Sequence, residues 1–149
     1  MRQVKWVALL AVLSFVPQPA QAQRGEREER DVRRLMDRLR DELWDYRREL
    51  NFFRRAPEYN ELVDIRYRLR NQAMRVADLD RGGPRSRLAQ REVARRMQDS
   101  ARQLERLTRQ LGRRTDLGAA GEVRRRADRL RDRAGRIRRM VGRLEDLVR

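Results

Sequence analysis

Residues 123–148 read VRRRADRLRDRAGRIRRMVGRLEDLV, and this stretch decides how the chain folds. Its apolar residues Val123, Ala127, Leu130, Ala134, Ile137, Val141, Leu144 and Val148 are spaced alternately four and three apart. On a helix that spacing draws one stripe down a single face, whereas a half-buried strand would alternate every second residue. Most positions between the stripe residues are Arg, Asp or Glu, so only the stripe can leave water. Sustained four-three spacing is the heptad signature of coiled-coil-like packing.

The same periodicity recurs upstream. Val32, Leu35, Leu39, Leu43, Tyr46, Leu50 and Phe53 predict a helix over residues 26–54. Leu62, Ile65, Leu69, Ala73, Val76 and Leu79 predict a second over 57–79, with Pro57 at its first position and Glu58 and Glu61 in its first turn. Val93, Met97, Ser100, Leu104, Leu107 and Leu111 predict a third over 85–111, capped by Gly112. A fourth follows over 117–149, with Thr115-Asp116 offering its N-cap. Asp80-Arg81-Gly82-Gly83-Pro84 reads as a turn. Four long helices joined by short links make the expected fold all-α, an antiparallel four-helix bundle.

Eight acid-to-Arg pairs four residues apart lie outside the stripes and read as solvated helix faces. They are Glu26/Arg30, Glu29/Arg33, Asp64/Arg68, Glu92/Arg96, Glu105/Arg109, Glu122/Arg126, Asp132/Arg136 and Glu145/Arg149. Four methionines, Met36, Met74, Met97 and Met140, fall one per helix and read as core filler rather than a copper site. The aromatics Trp44, Tyr46, Phe52 and Phe53 are expected to close one end of the bundle. Trp44 and Tyr46 could instead bracket a ligand, and Phe52-Phe53 beside Pro57 is the best contact tip. Gly135 and Gly142 have two readings: close approach of a neighbouring helix, with Ala94 and Ala101 as small partners, or drift at an open position.

The opening residues have the three regions of a secretory leader. Arg2 and Lys5 are basic, Trp6 to Val16 is apolar apart from Ser14, and Ala20-Gln21-Ala22 offers small residues for cleavage. Cleavage is expected after Ala22, and the apolar run is about half the length of a membrane span. The expected destination is the periplasm or the exterior, with no transmembrane segment in the mature chain. Residues 23–149 are expected to be one domain.

That domain has no Cys, no His and no Lys, and carries 37 Arg against 23 acids, a net +14. The charge is uneven: residues 23–83 carry +2 and residues 84–149 carry +12. Without His or Cys there is no haem ligand, no Glu-x-x-His di-iron site, and neither a serine nor a cysteine triad. No cofactor, no metal and no catalytic residue is expected, and the chain reads as a non-enzyme. The candidate anion-binding residues are the densest basic run, Arg124, Arg125, Arg126, Arg133, Arg136, Arg138, Arg139 and Arg143. For an exported chain the expected partner is an anionic envelope polymer, a lipid headgroup or an acidic client protein. Nucleic acid is disfavoured because an exported chain rarely meets it. The alternative is a structural coiled-coil protein in which the fourth helix pairs with a copy of itself to form a homo-oligomer.

Basic helical chaperones of the periplasm invite comparison, and one group of them carries Leu-Thr-x-x-Gln. Leu107-Thr108-Arg109-Gln110 is one residue shorter and occurs once, so no family's residues transfer.

Overall fold

A computed structural model of the chain describes residues 19–79, 83–116 and 121–149, with side chains over 25–79, 86–115 and 121–149. The described residues form four helices: α1 Pro19–Leu50, α2 Tyr59–Leu79, α3 Gly83–Asp116 and α4 Gly121–Leu147. Most of the expected leader lies outside the described residues; the backbone of residues 19–22 is helical and opens α1.

The helices pack in chain order, and α4 closes back on α1. Cross-helix bonds show their relative directions. Arg66 Nε donates to the Leu43 carbonyl at 3.1 Å, joining late α1 to early α2. Gln90 Nε2 donates to the Val76 carbonyl at 3.4 Å, and Gln103 Nε2 to Glu61 at 2.9 Å, so α2 and α3 run oppositely. Arg91 Nε donates to the Val148 carbonyl at 2.7 Å, closing the C-terminal end of α4 from the start of α3. Residue numbers rise on one helix as they fall on its neighbour, as short links between long helices require.

The apolar stripes form one core. Every stripe residue is buried except Leu79 and Val123, which are half-buried against it. Tyr46 reaches the middle of the bundle. Thr108 Oγ1 donates to the Leu104 carbonyl at 2.7 Å, which leaves the Thr108 oxygen to accept from the Tyr46 hydroxyl at 2.7 Å. Thr108 is therefore part of a buried polar contact between α1 and α3.

Several boundaries differ from expectation for local reasons. After Leu50 the chain tightens into a 3-10 turn, Asn51–Phe53, and Ala56 N bonds the Phe53 carbonyl at 2.9 Å. Pro57 lies in this hairpin, ahead of α2, rather than at its first position. Gly83 and Pro84 belong to the first turn of α3, where Pro is tolerated. At its other end α3 runs straight through Gly112, and Thr115 bonds back to the Gly112 carbonyl at 2.8 Å instead of capping α4. Gly112 is there for space: the Arg131 guanidinium of α4 lies where a Cβ would stand.

Individual side chains differ too. Met97 and Met36 are buried and Met140 partly so, but Met74 is 54% exposed. Trp44 is 66% exposed while Tyr46 is fully buried, because two residues on a helix turn about 200°. They cannot bracket one ligand. A Cβ on Gly135 or Gly142 would meet only the ends of Arg139 (3.5 Å) and Gln98 (3.4 Å), so neither glycine admits a neighbouring backbone. Gly135→Ala and Gly142→Ala are each expected to stabilise the domain by about 1 kcal/mol by removing the helix penalty of glycine. Thermal unfolding should rise by about 3–5 °C per substitution. A fall would show that Arg139 or Gln98 cannot give way.

Candidate anion-binding site

The eight candidate arginines of α4, together with Arg129, divide by helical phase. Arg126, Arg129, Arg133 and Arg136 are spaced three, four and three apart and face α1, where Glu42, Asp45 and Glu49 repeat at three and four. Arg133 sits 3.0 Å from Glu42 and 2.9 Å from Asp45, and Arg136 is 2.9 Å from the same Glu42. Arg126 and Arg129 lie 3.6 and 4.0 Å from Glu49. Arg126 also bonds Glu122 at 3.0 Å and lies 4.6 Å over the Phe52 ring. Arg138 faces α3 and meets Glu105 at 2.6 Å. Arg124, Arg125, Arg139 and Arg143 are exposed.

The ladder changes the meaning of the uneven sequence charge. Four arginines of the basic half are set against three acids of the first half, as flanking charges set partner and register in coiled coils. Among the intrahelical pairs expected from spacing, Glu26/Arg30, Glu92/Arg96, Glu105/Arg109, Glu122/Arg126 and Glu145/Arg149 form. Arg136 turns to Glu42 on α1, and at 2.9 Å that carboxylate is the partner it reaches.

A second positive surface lies on α3. Arg102, Arg106, Arg109 and Arg113 are spaced four, three and four apart and form one outward stripe. With Arg114 and Arg138 they line a groove of about 490 Å³ whose only acidic lining residue among the described residues is Glu105. Arg109 and Arg138 each take one Glu105 oxygen at 2.6 Å. Arg114 is directed to the buried Glu58 at 3.2 Å, and Arg102 is 4.0 Å from an exposed Asp99. Arg106 and Arg113 have no ion pair among the described residues. A groove lined by six arginines and one carboxylate can hold an extended polyanion through several weak contacts at once.

Of the sequence candidates only Arg138 lines this groove. The α3 stripe shows the same four-three spacing that identified the apolar faces, applied to Arg instead of Leu. Local density of Arg draws attention to α4, but density does not say which arginines a neighbouring helix neutralises.

No known protein family, no curated protein and no solved structure matches the chain. Among the described residues, no helix is long and apolar enough to cross a membrane. Fold and site together define an arginine-rich helical bundle with a cationic groove.

Proposed function

We propose that the chain is an exported, non-enzymatic protein of the periplasm or exterior that binds an anionic envelope component or acidic client protein through its Arg-rich second half. The observation that carries this reading is the α3 groove, lined by six arginines and Glu105, with no ion pair for Arg106 or Arg113 among the described residues. Export rests on the three-part leader pattern of residues 1–22; mass spectrometry of exported material should find Gln23 as the first residue. Detection of Met1 there would overturn it.

Binding is tested by sedimentation with vesicles containing phosphatidylglycerol and, separately, by titration with polyglutamate. Attraction of this kind must weaken with salt, because the screening length falls to about 3 Å at 1 M. The triple variant Arg102→Gln, Arg106→Gln and Arg113→Gln removes exposed charges and should leave folding nearly unchanged. It is expected to bind at least about tenfold more weakly at low salt and to depend less on salt. Wild-type affinity for both probes in the triple variant would remove the groove from the function. Binding insensitive to salt would remove the electrostatic reading altogether.

The alternative, a coiled coil made by α4 with a second copy, has less support. The stripe from Ala127 to Val148 that such a dimer needs is already buried within the chain.

A further inference from the structure

A contact that the chain makes with itself shows what kind of partner fits the α3 groove. Along α4, Arg126, Arg129, Arg133 and Arg136 advance in steps of three, four and three, and α1 answers with Glu42, Asp45 and Glu49 at three and four. The guanidinium nitrogens lie 2.9–4.0 Å from those carboxylates. Both stripes repeat about every 5.4 Å, one helical turn, so carboxylates and arginines stay in step along the interface. Arg102, Arg106, Arg109 and Arg113 of α3 form an exposed stripe of the same period, about 16 Å long at 1.5 Å per residue. No acidic stripe faces them. Among the described residues the groove is lined by one carboxylate, Glu105, which is divided between Arg109 and Arg138 at 2.6 Å each. Arg106 and Arg113 have no ion pair among the described residues.

We propose that the α3 groove receives an acidic helix of a partner protein, one that carries carboxylates at four-three spacing along a single face. This deepens the functional reading above and rests on it, since the groove must bind anions before it can prefer one. The period selects the helix. Same-side carboxylates of an extended acidic segment stand about 6.7 Å apart, and fall out of step with the arginines by roughly 4 Å over the stripe. Composition disfavours the other polyanions. Residues 84–149 contain no Trp, Tyr or Phe, so the groove offers no aromatic ring to enter a lipid interface or to stack on a nucleotide base. Recognition here is by charge and period alone.

The test compares two stapled alanine-based helical peptides of identical composition, titrated into the full chain at low salt. One carries four glutamates at four-three spacing on one face; its isomer carries them distributed around the helix. The striped peptide is expected to bind at least tenfold more tightly than the isomer, and the α3 triple variant should lose that binding. Arg106→Glu should weaken the striped peptide at least tenfold as well, and a striped peptide with arginine in place of one central glutamate should recover affinity for this variant. Equal binding of the two isomers, lost in the triple variant, would overturn the helix partner while leaving the groove an anion site. Tighter binding of phosphatidylglycerol vesicles than of the striped peptide, also lost in the triple variant, would make the partner a lipid surface and overturn the inference in the same way. If neither peptide, the vesicles nor polyglutamate binds, or if binding persists in the triple variant, the inference and the reading beneath it both fall.

Discussion

Replacing Ile137 with Asp is expected to unfold the chain. Ile137 is fully buried at the middle of the α4 stripe. The substitution forfeits about 2–3 kcal/mol of apolar burial and adds the cost of a carboxylate with no partner in the core. A domain of this size is held by only about 5–15 kcal/mol, so a loss of several kcal/mol consumes most of it. Circular dichroism should show loss of the cooperative thermal transition. The same experiment separates the two architectures: in a zipper between copies, the variant would be a soluble monomer that stays partly helical. Wild-type stability would mean the stripe is not buried, and the bundle described above would be wrong.

Tyr46→Ala is expected to cost about 3–5 kcal/mol, the range for deleting a large aromatic from a core. It also leaves the Thr108 hydroxyl without its donor, although that hydroxyl keeps its own bond to Leu104. Tyr46→Phe retains the ring and loses only the hydrogen bond, so about 1 kcal/mol is expected. A cost for Tyr46→Phe as large as that for Tyr46→Ala would show that the polar contact, and not the ring, organises the centre. Burial pushes the Tyr46 phenol well above its ordinary value near 10, with the Thr108 bond pulling less strongly the other way. The sign of the pH effect follows. Above pH 10 the unfolded phenol loses its proton while the folded one keeps it. Stability from this group is therefore complete below pH 10 and falls by up to about 1.4 kcal/mol per pH unit above it. Denaturant midpoints measured from pH 9 to 11 should fall in the wild type and fall less in Tyr46→Phe.

The apolar stripes were legible because a helix imposes one period on its own sequence. Leu39, Leu43, Leu50, Leu130, Ile137 and Leu144 could be placed in the core without knowing which helix they meet, and each is buried. The ends of helices were less legible. Gly112 has the composition of a cap yet lies within α3, because the decisive fact is the Arg131 guanidinium passing over it from α4. Thr115 resembled an N-cap for the same reason of composition, and its bond to the Gly112 carbonyl places it in the last turn of α3.

The charges were least legible of all. Sequence alone determined that this chain is helical, strongly basic, and without His or Cys chemistry, since these follow from composition and local period. Tertiary structure decided which of its arginines remain available. Glu42, Asp45 and Glu49 compensate the α4 arginines only because antiparallel packing brings their stripe into phase with Arg126, Arg129, Arg133 and Arg136. Arg66 sits buried with its Nε on the Leu43 carbonyl only because α1 and α2 meet at that register. A charge interacts with whatever lies within a few ångströms of it, and the phase and register between helices set those distances.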